Sequence, residues 1–190
     1  MALPPSSEPH LSEGEEAEEP LPSGDAPRYR ALGLLGAGGM GEVHAVHDAV
    51  LDRDVARKTP RTASGSAALL REAATTARLE HPSIVPIYDA GIDGDGPWYT
   101  MRLVRGRTLT QSIAAALDLP ARLRLLRPLL AAMEAVAYAH ARGVVHRDLK
   151  ADNVVLGEHG EVQILDWGLA VVGGATGRAG TLATMSPEQA

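Results

Sequence analysis

Cysteine and phenylalanine are absent from this 190-residue chain, lysine occurs twice and asparagine once. The first absence excludes disulfides and thiolate metal sites. A long apolar run is missing too: the best candidate, LLAAMEAVAYAHA, falls short of the roughly 18 residues that span a bilayer and carries Glu134. The opening residues, MALPPSSEPH, have neither the basic start nor the apolar core of a secretion signal, so the chain is expected to be cytoplasmic and without a membrane segment. The Arg residues are scattered and interleaved with acids, which argues against a nucleic-acid-binding stripe.

At 45% hydrophobic and 22% charged residues, the chain can bury one sizeable core or two small lobes. Its net charge of −6 is unevenly spread. Residues 1–27 hold seven acids (Glu8, Glu13, Glu15, Glu16, Glu18, Glu19, Asp25) and no Lys or Arg, leaving 17 acids against 18 bases in the remainder. A Pro-, Ser- and Glu-rich stretch buries too little apolar surface to offset the entropy of ordering it, so 1–27 reads as a disordered acidic tail.

Three short strands in a meander are expected next: RYRALGLLG (28–36), EVHAVHD (42–48) and DVARKT (54–59). SGSAALLREAATTARLEH (64–81) has helical spacing of Ala and Leu, and the strands IVPIYDAGID (84–93) and PWYTMRLV (97–104) follow, split by the turn DGDG. After Gly106 the pattern turns helical. Thr108 with Gln111 three residues on forms a capping box, and a long helix is expected from about Pro120 to Arg142, kinked at Pro128 and stopped by Gly143. Its segment from Leu129 to Ala141 is apolar nearly all round, which predicts burial on several sides.

Five motifs carry chemistry. GAGGMGEV (36–43) fits G-x-G-x-x-G-x-V, in which Gly36, Gly38 and Gly41 let backbone N–H groups approach phosphate oxygens that a Cβ would obstruct. A plain hairpin turn is the other reading. Because the loop leads into a strand and not a helix, a flap between antiparallel strands fits better than a dinucleotide-binding fold. VARK (55–58) sets Lys58 on a strand; a buried ammonium needs a partner, and Glu72 is available, unless Lys58 is a surface residue and Glu72 pairs with Arg71 or Arg78. HRDLKADNVVL (146–156) gathers the other lysine, Lys150, and the lone asparagine, Asn153; ILDWGLA (164–170) and GTLATMSPEQ (180–189) follow. The histidines do not form a metal site: His44 and His47, three apart on a strand, face opposite sides.

Taken in order, these motifs resemble a bacterial-type serine/threonine protein kinase of the eukaryotic-like family, from about Arg28 to Ala190. The resemblance implies an α+β fold: a lobe of five antiparallel strands with one helix over 28–103, then a partial, mainly helical lobe over 104–190 that ends after the Pro-Glu motif. It also implies ATP, with Mg2+ or Mn2+, as what the site binds, and a protein bearing Ser or Thr as substrate. Asp148 would accept or orient the proton of the substrate hydroxyl, Lys150 would neutralise the γ-phosphoryl, and Asn153 and Asp166 would hold the metal. Lys58, positioned by Glu72, would grip the α- and β-phosphates. The nucleotide would lie among Gly36, Ala37, Gly38, Gly39, Met40, Gly41, Val43, Ala56, Lys58, Met101 and Leu103. Thr181 would bridge Asp148 and Lys150, and His146 would be the structural first residue of the catalytic loop. Arg147 suggests control by phosphorylation of the activation loop, with Thr176 as acceptor or simply a solvated threonine.

Departures from the family pattern are Trp167 where Phe is usual, Ala151 for Pro, Arg102 for an acid after the gatekeeper position Met101, and Thr184 for an aromatic. The family also continues with further helices, one of which supplies an Arg partner for Glu188. The chain as given is therefore expected to be poorly stable and nearly inactive alone, and a catalytically weak or dead nucleotide- or partner-binding remnant is the alternative function.

Overall fold

The computed structural model describes residues 27–39, 41–173 and 181. Five strands, β1 (Tyr29–Gly38), β2 (Gly41–Asp48), β3 (Arg53–Thr59), β4 (Ile87–Asp93) and β5 (Gly96–Arg102), form one antiparallel sheet in the order β1-β2-β3-β5-β4. Each lies where alternating or β-branched residues are flanked by turn formers. Helix α1 (Ser66–Ala77) packs on the sheet through Leu69 and Ala73, which join Ala56, Val85, Tyr99 and Met101 in one buried cluster. It is shorter than the 64–81 expected. Ala63–Gly65 makes a 3-10 turn before it, and after Arg78 the chain leaves the helix so that Leu79 enters the second core.

Arg28 fastens the first strand. Its Nε and Nη2 donate to the two oxygens of buried Asp48 at 2.9 and 3.0 Å, and its Nη1 donates to Asp89 at 2.8 Å. One guanidinium thus links the start of β1 to the end of β2 and to β4, as a planar fork can and an ammonium cannot.

The second half holds α2 (Leu109–Ala115), α3 (Leu119–Arg124), α4 (Leu126–Ala141) and five short strands: β6 (Gly106–Thr108), β7 (Val144–Val145), β8 (Val154–Gly157), β9 (Val162–Ile164) and β10 (Val171–Val172). The capping box at α2 forms as expected, with Gln111 N–H donating to Thr108 Oγ1 and Thr108 N–H to Gln111 Oε1. The expected single helix over 120–142 is instead two. Asp118 caps α3 by accepting from Ala121 N–H at 2.7 Å, the helix ends at Leu125, and α4 begins anew. Pro128 is the cause: with no N–H and a ring that excludes the carbonyl four residues back, it is tolerated only in a first turn, so the break falls ahead of it. Burial on several sides is also not what is seen. Ala132, Ala135 and Ala139 are buried, whereas Leu126, Leu129, Leu130 and Met133 are 41–59% exposed, because only one stripe of α4 faces β7, β9 and the core around Ile164 and Trp167.

Backbone hydrogen bonds tie the two halves between β9 and the segment after α1. Ile164 N–H donates to Ser83 O at 2.8 Å and Val85 N–H to Ile164 O at 3.3 Å, so β9 is sewn to the segment between α1 and β4. That stitch brings the residues after β9 toward β3. Among the described residues no helix is long and apolar enough to cross a membrane.

Candidate active site

Lys58 sits in the middle strand of its neighbourhood, opposite Val43 of β2 and Tyr99 of β5. Strand alternation turns its side chain toward α1, where Nζ donates to Glu72 Oε1 at 2.7 Å and Oε2 at 2.9 Å. Both residues are buried, and burial pushes the Glu72 carboxyl up while the Lys58 charge opposes that shift. The same ammonium reaches Asp166 Oδ1 at 3.2 Å. One cation therefore joins β3, α1 and the DWG turn after β9. The alternative in which Lys58 is a surface residue and Glu72 pairs along its own helix is not what the structure has.

The HRDLKADN segment folds as a loop between β7 and β8. His146 accepts from Asp148 N–H at Nδ1 (3.3 Å), which leaves Nε2–H to donate to Leu165 O at 3.2 Å. This assigns a neutral imidazole, in keeping with the burial that pushes its pKa down. Its ring lies 4.6 Å from that of Trp167, so the large aromatic fills the DWG turn as a Phe would. Arg147 and Asp166 both take positive φ, 67° and 57°, conformations that L-residues adopt when the surroundings impose them.

Asp148 is held from three directions. Thr181 donates its backbone N–H and its hydroxyl to Oδ1 at 2.7 and 2.6 Å, and Lys150 Nζ donates to Oδ2 at 2.9 Å and to Thr181 Oγ1 at 3.0 Å. Partial burial alone would raise the Asp148 carboxyl, but these donors outweigh it and hold the group below its ordinary range. A carboxylate so stabilised is a weak base. It is suited to orienting a hydroxyl and taking its proton late.

Asn153 donates Nδ2–H to Asp148 O at 2.9 Å, which leaves its carbonyl oxygen as the atom available to a cation. Leu165 N–H donates to Asn153 O at 2.8 Å, so the residue preceding Asp166 is pinned to Asn153. A neutral amide oxygen and a carboxylate are hard donors of the kind that Mg2+ or Mn2+ takes alongside phosphate. A Cβ added to Gly36, Gly38 or Gly39 meets nothing within 4 Å, so the end of the β1–β2 hairpin borders open space. Gly41 differs: a Cβ there would run into the carbonyl oxygen of Thr59. Ala37 lies on β1 between the glycines, and Val43, Ala56, Met101 and Leu103 pack together in the core of the first sheet, with Ala56 paired to Met101.

Three residues in this setting escape a reading by motif. Val104 and Leu165 pack beside Leu103 on the first core, and Tyr99 Oη donates to Glu72 Oε1 at 2.9 Å. The only signal for any of them is apolar alternation, which marks a core and not a site. Met40, Thr176, Thr184, Glu188 and the tail before Pro27 lie outside the described residues.

A glycine flap, a buried Lys–Glu pair reaching an Asp, and an Asp–Lys–Thr cluster together define the phosphotransferase class of protein kinases. Residues 29–189 match the family described as protein kinase domain, and the chain belongs to that family. The serine/threonine-protein kinase PknD of Protochlamydia amoebophila is 41% identical over 158 residues, covering 75% of this chain and 16% of that protein. PknD of Chlamydia trachomatis serovar D is 42% identical over 159 residues, covering 76% of this chain and 17% of that protein. The DNA damage-responsive serine/threonine-protein kinase RqkA of Deinococcus radiodurans is 38% identical over 178 residues, covering 87% and 26%. The chain spans well under a third of the length of these relatives.

Proposed function

We propose that this domain transfers the γ-phosphoryl group of ATP to Ser or Thr hydroxyls of a protein, in the cytoplasm where ATP is supplied. The Asp148–Lys150–Thr181 network carries this reading: an ammonium and a hydroxyl share one carboxylate at the place where a substrate hydroxyl must be aligned. Lys58, steadied by Glu72, binds the α- and β-phosphates, and the Gly36–Gly41 backbone covers them. Asn153 and Asp166 hold the divalent cation, which when bound neutralises charge on the phosphates. Asp148 orients the hydroxyl so that its oxygen bonds to the γ-phosphorus as the bond to the β–γ bridging oxygen breaks. ADP leaves with that oxygen, the hydroxyl proton passes to Asp148, and Lys150 balances the charge on the moving phosphoryl group.

The test is incubation with ATP labelled at the γ-position, Mg2+ and a basic protein acceptor, followed by phosphoamino-acid analysis. Label on Ser or Thr, lost in Asp148→Asn, is expected. Label on Tyr, or labelling undiminished by Asp148→Asn, would overturn the proposal. Removal of one group that stabilises transition-state charge costs about 2.7–4 kcal/mol, so the loss should be of order 100- to 1000-fold.

A further inference from the structure

Tyr99 is a core residue by position, 3% exposed and packed with Ala56, Leu69 and Ala73. Its hydroxyl nevertheless leaves the apolar cluster and donates to Glu72 Oε1 at 2.9 Å, the same oxygen that accepts from Lys58 at 2.7 Å. Lys58 and Tyr99 are directly opposite each other on β3 and β5. The three side chains therefore close a knot between two adjacent strands and α1. Beside this knot, a cavity of 310 Å³ lies between α1 and the Trp167–Gly168 turn, lined by Ala68, Arg71, Glu72 and Thr75.

Glutamate has three side-chain torsions, and an ammonium on a flexible stem fixes few of them. Lys58 is moreover shared with Asp166, which its Nζ reaches at 3.2 Å. A tyrosine in a packed core has two torsions, both set by its neighbours, so its hydroxyl is a rigid donor. We propose that Tyr99 is a positioning residue for phosphoryl transfer, whose hydroxyl anchors the Glu72 carboxylate to the sheet and thereby keeps Lys58 directed at the nucleotide phosphates. The proposal rests on the kinase reading above. It adds to that reading a residue acting through Glu72, without contact to the reacting atoms.

Tyr99→Phe removes one hydroxyl and keeps the ring that fills the core. The full chain carrying Tyr99→Phe, Glu72→Gln or both is to be compared with wild type in binding of N-methylanthraniloyl-ADP with Mg2+, and in kcat and KM for ATP and for a basic protein acceptor. Thermal melting of each variant is recorded alongside. Tyr99→Phe should weaken nucleotide binding and lower kcat/KM for ATP by roughly tenfold to 100-fold, the range for one hydrogen bond to a charged group. KM for the protein acceptor should stay unchanged, and Tyr99→Phe should add nothing further in the Glu72→Gln background. A tyrosine that only fills the core predicts a lower melting temperature, unchanged nucleotide parameters, and effects that multiply in the double variant. Any of the last two results would overturn the proposal. Failure of the wild-type chain to bind the nucleotide would instead remove the kinase reading on which it stands.

Discussion

Gly38 and Gly41 share a motif and face each other across the β1–β2 hairpin, but they are glycine for different reasons. At Gly41 the backbone of β2 passes so close to Thr59 O that a Cβ has no room, and its φ of 153° lies outside the usual range of L-residues. At Gly38 the surroundings are open, so the glycine requirement comes from whatever approaches the loop. Gly41→Ala should therefore lower stability by about 1–3 kcal/mol, the usual cost of forcing a methyl into filled space. Gly38→Ala should melt like wild type and bind ATP more weakly. Paired melting curves and ATP titrations check both, and an undisturbed melting temperature in Gly41→Ala would remove the steric reading. Residue identities of this kind were legible in the sequence where a motif fixes them: Lys58 pairs with Glu72, and Thr181 joins Asp148 and Lys150. Tyr99 was not legible, because an aromatic in an alternating strand looks the same whether or not its hydroxyl reaches a carboxylate on a helix packed above it.

The elements depend on contacts that local patterns announce unevenly. The capping box of α2 and the turns of the first sheet are written in neighbouring residues, so they could be read directly. The two-residue strands β7 and β10 could not, since they exist only by pairing Val144–Val145 with Val171–Val172 across a loop of distant sequence. Pro128 was visible but ambiguous: its chemistry forbids a helix interior, and whether the chain kinks or restarts depends on what Asp118 caps upstream. Arg28 and Asp48 show the same non-local character in the first sheet. The Arg28 guanidinium holds the Asp48 carboxyl below its ordinary range against the opposing effect of burial. A depressed carboxyl contributes stability that is complete above its unfolded value of about 3.9 and is lost as pH falls through the lower folded value. Asp48→Asn should cost about 1–3 kcal/mol at pH 7, reduced from a fully buried pair because Arg28 is 40% exposed. It should also flatten the acid limb of the melting temperature below pH 4 or so. A variant with the same acid limb as wild type would show that the clamp does not act through the Asp48 charge.

At the scale of the whole molecule, the backbone bonds through Ser83, Val85 and Ile164 and the Lys58–Asp166 pair join the first sheet to the second core, and the chemistry collects where they meet. The strands of the first half were legible in their alternation, whereas the short strands β6–β10 of the second half were not. The surface of α4 was legible only as apolar. Its side chains Leu126, Leu129, Leu130 and Met133 stand together in the open, and a patch of that kind binds apolar dyes and promotes association. Leu130→Glu with Met133→Glu should reduce anilinonaphthalene sulfonate fluorescence and self-association without lowering the melting temperature. A drop of several degrees would mean that these residues are packed in solution.

In the proposed site Lys58, Asn153 and Asp166 would hold a metal-bound triphosphate, and calorimetric titration of ATP with and without Mg2+ reads out that arrangement. Saturable binding of ATP that strengthens on adding Mg2+, loses that dependence in Asp166→Asn, and falls away in Lys58→Met is the predicted result. Equal affinity with and without Mg2+, or binding unchanged in Lys58→Met, would contradict it.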